Sequence, residues 1–191
     1  DITSDASLYR VQDFQDAAAI QFSIDGTMDF HGMGSKDHPT DIWFWKSEWQ
    51  MQKNADTDTD IELAYSNRVT DSDVESYPDE FDDTAFLGGR DAGNINSKQE
   101  RISSVENVSA VGPETVTTHP EKSQNVNGSG IWDGKKWRVV FIREMKPGSD
   151  KEVKFKEGGI VPVGFAVWNG SENDRNGQKM VSTWYQLELK D

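Results

Sequence analysis

The sequence predicts an all-β fold, an antiparallel β-sandwich with long loops and a few short helices. Three observations predict it. Several short runs alternate apolar and polar residues with a period of two. Clusters of Gly, Asn and Asp separate those runs, as turns between strands require. No stretch of the 191 residues carries a strong helical pattern.

Residues 17–24, AAAIQFSI, read as the first strand. Residues 42–49, IWFWKSEW, read as a second, with Trp43, Trp45 and Trp49 on one face. Residues 54–84 carry little apolar periodicity and hold eleven Asp/Glu against a single Arg, which reads as a long acidic surface insertion. Residues 88–112 are expected to be mostly loop, with one short helix. The WDG at 132–134 marks a turn, and residues 137–143, WRVVFIR, alternate cleanly after it. VKFKEGG at 153–159 reads as a short strand ending in a glycine turn. Val163, Phe165 and Val167 then share one strand face, and Val181, Thr183, Tyr185, Leu187 and Leu189 share another. The polar loop Asn169–Gln178 joins these last two strands and delivers Lys179 to the edge of the second. No linker-like stretch divides the chain, so residues 1–191 are expected to form a single domain.

Composition excludes several functions. The chain has no cysteine, so it forms no disulfide, thiolate zinc site, iron–sulfur cluster or covalently attached c-type haem. A net charge of −14 argues against nucleic-acid binding, whose phosphate backbone demands basic patches. A salt-adapted or secreted origin suits such a charge. No apolar run approaches the roughly 20 residues of a membrane helix. Hydrophobic residues make up only 34%, but seven Trp and nine Phe offset this, because large aromatics bury much area each. The first residue is Asp, so a processed or trimmed start is expected.

Four candidate sites stand out. Met33 lies between Gly32 and Gly34 in DFHGMGSKDHP, where missing side chains let a flat cofactor approach the backbone. Its thioether is a soft ligand suited to haem iron, with Met28 and His31 as neighbouring rivals. Lys179 binds a metal only as a neutral amine, which requires desolvation to lower its ordinary pKa of about 10.4. By pattern alone it is a solvated side chain, and Met33 is an incidental residue of a loop. Asp56, Asp58 and Asp60 are spaced like calcium ligands but lack the glycine and the twelfth-position glutamate of that loop. For hydrolysis, His119 has no evident nucleophile partner, and no catalytic residue is assigned.

The ordered blocks FQDAAAIQF (14–22), GMGSKDHPTDIWFWKSEW (32–49), GRDAGN (89–94), SSVENVSAVGPETVT (103–117), GSGIWDGKKWRVVFIREM (128–145) and FAVWNGSENDRNGQKMVSTWYQLEL (165–189) carry a resemblance. Together they resemble the haem b-binding γ subunits of periplasmic molybdenum oxidoreductases related to dimethyl sulfoxide reductase. These include the γ subunits of ethylbenzene dehydrogenase, selenate reductase, chlorate reductase and dimethyl sulfide dehydrogenase, with nitrite oxidoreductase relatives. The resemblance implies a β-sandwich with a noncovalent haem b held between loops at one end. It places the axial ligands of the haem iron on Met33 and Lys179. It further implies an accessory electron-transfer subunit, a cytochrome b in type, and not a catalyst. Electrons would pass between an external soluble cytochrome c and a core whose molybdopterin-containing catalytic subunit and iron–sulfur subunit hold the molybdenum cofactor and Fe–S clusters. A periplasmic or equivalent extracytoplasmic location goes with it. The competing class is a carbohydrate-binding β-sandwich module, with Trp43, Trp45, Trp168 and Trp184 stacking on sugar rings.

Overall fold

The computed structural model describes residues 14–28, 32–54, 95, 102–146 and 148–190. The acidic segment, including Asp56, Asp58 and Asp60, lies outside them apart from Asn54, as does His31. The described elements run β1 (Ala17–Ser23), β2 (Thr40–Lys46), α1 (Ser47–Asn54), β3 (Val105–Ala110), β4 (Thr117–Thr118), β5 (Asn127–Trp132), β6 (Trp137–Ile142), β7 (Ile160–Trp168), β8 (Met180–Val181) and β9 (Tyr185–Glu188). All named strand pairs are antiparallel. One sheet has seven strands in the order β4-β3-β2-β1-β7-β8, with β9 also paired to β7. The hairpin β5–β6 forms a second layer, which makes the sandwich.

The pleat sends alternate residues of each strand to opposite faces of the large sheet. Phe22, Trp43, Trp45, Val105, Val161 and Val163 point to the inner face and form the main core with Val126 and Val153. Trp137, Val139 and Phe141 of β6 close it from the hairpin side. Two glycines set the spacing of the layers. A Cβ on Gly130 would enter the Trp45 indole, and one on Gly128 would enter the Val105 side chain. The motif GSG in β5 therefore turns a bare backbone toward the large sheet, leaving its aromatic side chains the full interlayer space.

Four elements differ from the sequence expectation. The strand containing the tryptophans ends at Lys46, and Trp49 lies on α1. The alternation of IWFWKSEW runs across that boundary because Trp49 is buried from the helix instead. Gln50 anchors the helix by accepting from Gly130 N at 2.6 Å and Trp45 Nε1 at 3.4 Å. Residues 105–110, expected as loop, are strand β3, which pairs with β2 and β4. Its polar residues are buried and bonded to other elements: Glu106 pairs with Lys46 and accepts from Thr118 Oγ1 at 2.6 Å, and Asn107 N donates to Gln124 Oε1 at 2.7 Å, while Asn107 Oδ1 has no hydrogen-bond partner among the described residues. Residues 153–156 form no ladder, because side chains take the backbone of Val153: its N–H donates to Asp41 at 3.0 Å and its carbonyl accepts from Arg143 at 2.5 Å. The final strand is two short ones. The register against β7 shifts by one residue between β8 and β9, and Ser182 fills the break. Its hydroxyl accepts from Phe165 N at 2.9 Å, and its own N–H donates to Phe165 O.

Beneath the inner core lies a closed ion cluster. Arg143 Nη1 stands 3.2 Å from Asp41 Oδ2 and 3.5 Å from Glu152 Oε2, with all three side chains fully buried. The guanidinium also stacks over Trp43 and Phe155. Burial pushes the Asp41 carboxyl up to about 6, in spite of the N–H of Val153 and the charge of Arg143. His119, read from sequence as part of a polar loop, is buried, and desolvation lowers its pKa.

Candidate haem site

The outer face of the large sheet, turned away from the hairpin, is built differently. Ala17, Ala19, Gly164 and Ala166 keep its floor low along β1 and β7. Ile42, Val108 and Ala110 continue it across β2 and β3, and Met33, Phe44 and Trp168 pack against that cluster.

Met33 reaches the face from the loop between β1 and β2. Three successive residues, Gly32, Met33 and Gly34, have positive φ of 64°, 54° and 69°. For a methionine this left-handed conformation costs roughly 1–2 kcal/mol. A Cβ on Gly34 would enter the His38 carbonyl, so only glycine fits there. Both backbone groups of Met33 are tied. Its N–H donates to Gln21 Oε1 at 2.8 Å, and its carbonyl accepts from Gly112 N at 2.9 Å.

Lys179 arrives from the opposite side, on the loop between β7 and β8. That loop is braced at its start. Asn169 Oδ1 accepts from Ser171 N and Oγ, Asp174 accepts from Asn169 N, and Gly170 N donates to Asp16 at 2.9 Å. Gly170 passes so near Phe14 that a Cβ would enter the Phe14 carbonyl. Asn173 and Asn176 supply the left-handed turns. The Asn176 carbonyl then accepts from Trp168 Nε1 at 3.1 Å and from Lys179 Nζ at 3.5 Å.

The two loops meet. Lys179 Nζ lies 3.6 Å from Met33 Sδ, across 146 residues of chain, and 5.3 Å from the Trp168 ring centroid. Trp168 in turn packs on Phe44, with ring centroids 4.9 Å apart. Burial lowers the Lys179 pKa, and no carboxylate among the described residues forms an ion pair with it. Met28, the rival thioether, is half exposed. The structure thus brings together the two residues to which the resemblance pointed. They stand over the outer face of the sheet, not between the two layers.

The donor set fits haem. A soft thioether and an amine that burial drives toward its neutral form can both coordinate iron. Aromatic and small apolar residues surround them, as a flat apolar macrocycle requires. Sequence reasoning missed Gln21, Phe44 and Asn176. For Gln21 a signal existed, since it is the sole side-chain amide in the apolar run AAAIQFS.

The family match decides the relationship. Residues 4–180 match the family described as ethylbenzene dehydrogenase. The chain belongs to that family. Three of its relatives extend the comparison. One from Haloferax mediterranei, named a putative respiratory nitrate reductase heme subunit, is 26% identical over 188 residues, covering 98% of this chain and 48% of the relative. The chlorate reductase subunit gamma of Ideonella dechloratans is 28% identical over 74 residues, 38% of this chain and 31% of the relative. The dimethylsulfide dehydrogenase subunit gamma of Rhodovulum sulfidophilum is 29% identical over 125 residues, 61% and 46% respectively. The chain spans under half the length of each of these relatives.

Other regions offer less. A cavity of about 520 Å³ opens on the inner face between β1, β6 and β7, lined by Trp45, Trp137, Phe141 and Phe165 among others. It lies across the sheet from Met33 and contains neither candidate ligand. The sugar-stacking alternative loses Trp43 and Trp45, which are 6% and 1% exposed in the core.

Proposed function

We propose that this chain is an electron-transfer subunit carrying one noncovalent haem b, with Met33 and Lys179 as the axial ligands. The single observation that carries the reading is the 3.6 Å approach of Met33 Sδ to Lys179 Nζ. Family membership and the heme and gamma subunits among its relatives support it. Met33 and Lys179 are the residues that would hold the haem, which would supply one-electron transfer there.

The chain's own residues prepare the ligands. Burial against Trp168 weakens the hold of Lys179 on its proton, so coordination gives up that proton at a low cost. The Asn176 carbonyl orients the amine. The backbone ties of Met33 hold the thioether toward it, and a thioether ligand raises the reduction potential. The absence of cysteine from residues 1–191 supports noncovalent attachment.

In this reading residues 1–191 form one haem-binding domain in a periplasmic or equivalent extracytoplasmic compartment. A molybdopterin-containing catalytic subunit performs the chemistry, and an iron–sulfur subunit carries electrons between it and this chain. A soluble cytochrome c is the external redox partner. The net charge of −14 suits steering of a basic cytochrome, which predicts rates that fall as ionic strength rises.

The test is a reduced-minus-oxidised optical spectrum of the native complex, which should show b-type α and Soret bands. Lys179→Ala and Met33→Ala should each abolish the low-spin form, while Met28→Ala and His31→Ala leave it. Absence of b-type bands from the intact complex ends the reading, and an unchanged Lys179→Ala spectrum removes that ligand from it.

A further inference from the structure

We infer that Gln21 is the positioning residue for the methionine ligand, and that the glycines at 32 and 164 exist to admit its side chain. The inference rests on the haem reading above, and it concerns what holds Met33 and not what Met33 binds. Gln21 sits in β1 on the outer face, in a row with Ala17, Ala19 and Ser23. A side-chain amide there needs a reason, because an apolar residue would suit such a face better.

The reason lies in three contacts. Gln21 Oε1 accepts the Met33 N–H at 2.8 Å. Its Nε2 lies where a Cβ on Gly32 would approach to 2.9 Å, and where a Cβ on Gly164 would also approach to 2.9 Å. Gly164 is the β7 residue directly opposite Gln21 in the ladder. The amide is therefore sandwiched between a strand glycine and the glycine preceding the ligand. Neither glycine leaves space for a larger neighbour.

Met33 needs this tether. Its left-handed backbone is unfavourable for a side chain with a Cβ, and its N–H has no strand or helix partner. Removing the Gln21 acceptor leaves that donor unpaired and lets the turn relax. Because the thioether hangs from this one residue, a rotation of the turn moves Sδ away from Lys179. The tie from Gly112 to the Met33 carbonyl remains, so the loop stays attached while its ligand loses aim.

The experiment compares Gln21→Leu, Gln21→Glu and Gly164→Ala in the holo-complex, reading the low-spin optical signature and the midpoint potential. Gln21→Leu removes the acceptor with little change of volume and should lose most of the low-spin form, lower the potential and weaken haem retention roughly tenfold. Gln21→Glu keeps an acceptor and should restore the low-spin spectrum. Gly164→Ala forces the amide aside without touching the loop, and should shift the spectrum in the same direction by less. A wild-type spectrum and potential in Gln21→Leu would overturn the inference. If Gln21→Leu fails to fold, Gly164→Ala decides alone: an unchanged potential counts against the tether. Failure of the haem reading itself is separate, since the wild-type complex would then show no b-type bands at all, and failure of the methionine assignment would show as an unchanged spectrum in Met33→Ala.

Discussion

The two faces of the large sheet each hold a cation, the Arg143 side chain fully buried and Lys179 half-buried, and they treat it in opposite ways. On the inner face Arg143 is enclosed by Asp41 and Glu152, stacked on two aromatic rings and bonded to the Val153 carbonyl. On the outer face Lys179 has an aromatic ring, a backbone carbonyl and a thioether, and no acid among the described residues pairs with it. The guanidinium cannot give up its proton and is held by full charges. The amine can give up its proton and is encouraged to do so by burial. A saturated cation stabilises a fold. An unsaturated one can become a ligand.

The largest effect that sharpens this contrast is on stability. Arg143→Met should destabilise the protein by about 3–5 kcal/mol, since it strands two buried carboxylates. Urea unfolding measures this, and a loss under about 1 kcal/mol would mean that the cluster is not the closed unit described.

A smaller effect comes from Asp41. Its folded pKa of about 6 lies above the ordinary carboxyl value of 3.8, so the folded state binds more protons between those values. This contribution to stability therefore falls as pH rises from about 4 to 6. Asp41→Asn should flatten that part of the pH–stability curve, and an unaltered slope would count against the assignment.

Lys179→Met should have the smallest effect on the fold, within about 0.5 kcal/mol for the haem-free protein at neutral pH. The sign follows from its lowered pKa. Unfolded chains bind the proton more tightly, so wild-type stability rises with pH between the lowered value and 10.5. Any advantage of the methionine variant should shrink over that interval in thermal melts. Equal melts for Arg143→Met and Lys179→Met would break the comparison between the faces.

Legibility in the sequence followed the same division. β1, β6 and β7 could be read because each is a short, largely apolar run in which the larger side chains recur at a period of two. β3 could not, because Glu106 and Asn107 are buried and bonded to partners remote in sequence. Trp49 continued an alternation into a helix, and the bulge at Ser182 is marked by no Gly or Pro. The site was legible only through resemblance. Periodicity alone made Lys179 a surface residue and Met33 an incidental one. The amide of Gln21 is an unusual residue for its strand, yet sequence reasoning missed it because its partner lies twelve positions away in a loop.

By itself the sequence determined a sandwich of short antiparallel strands, because the period of two and the turn residues act locally. It also determined that residues 1–191 offer no cysteine for thioether attachment of a haem. Only the tertiary structure decided which side chains meet. The ladders β1–β2 and β1–β7 carry the loops holding Met33 and Lys179 to one face of the sheet. Register, a long-range property, then sets a thioether beside an amine that burial has already weakened as a base.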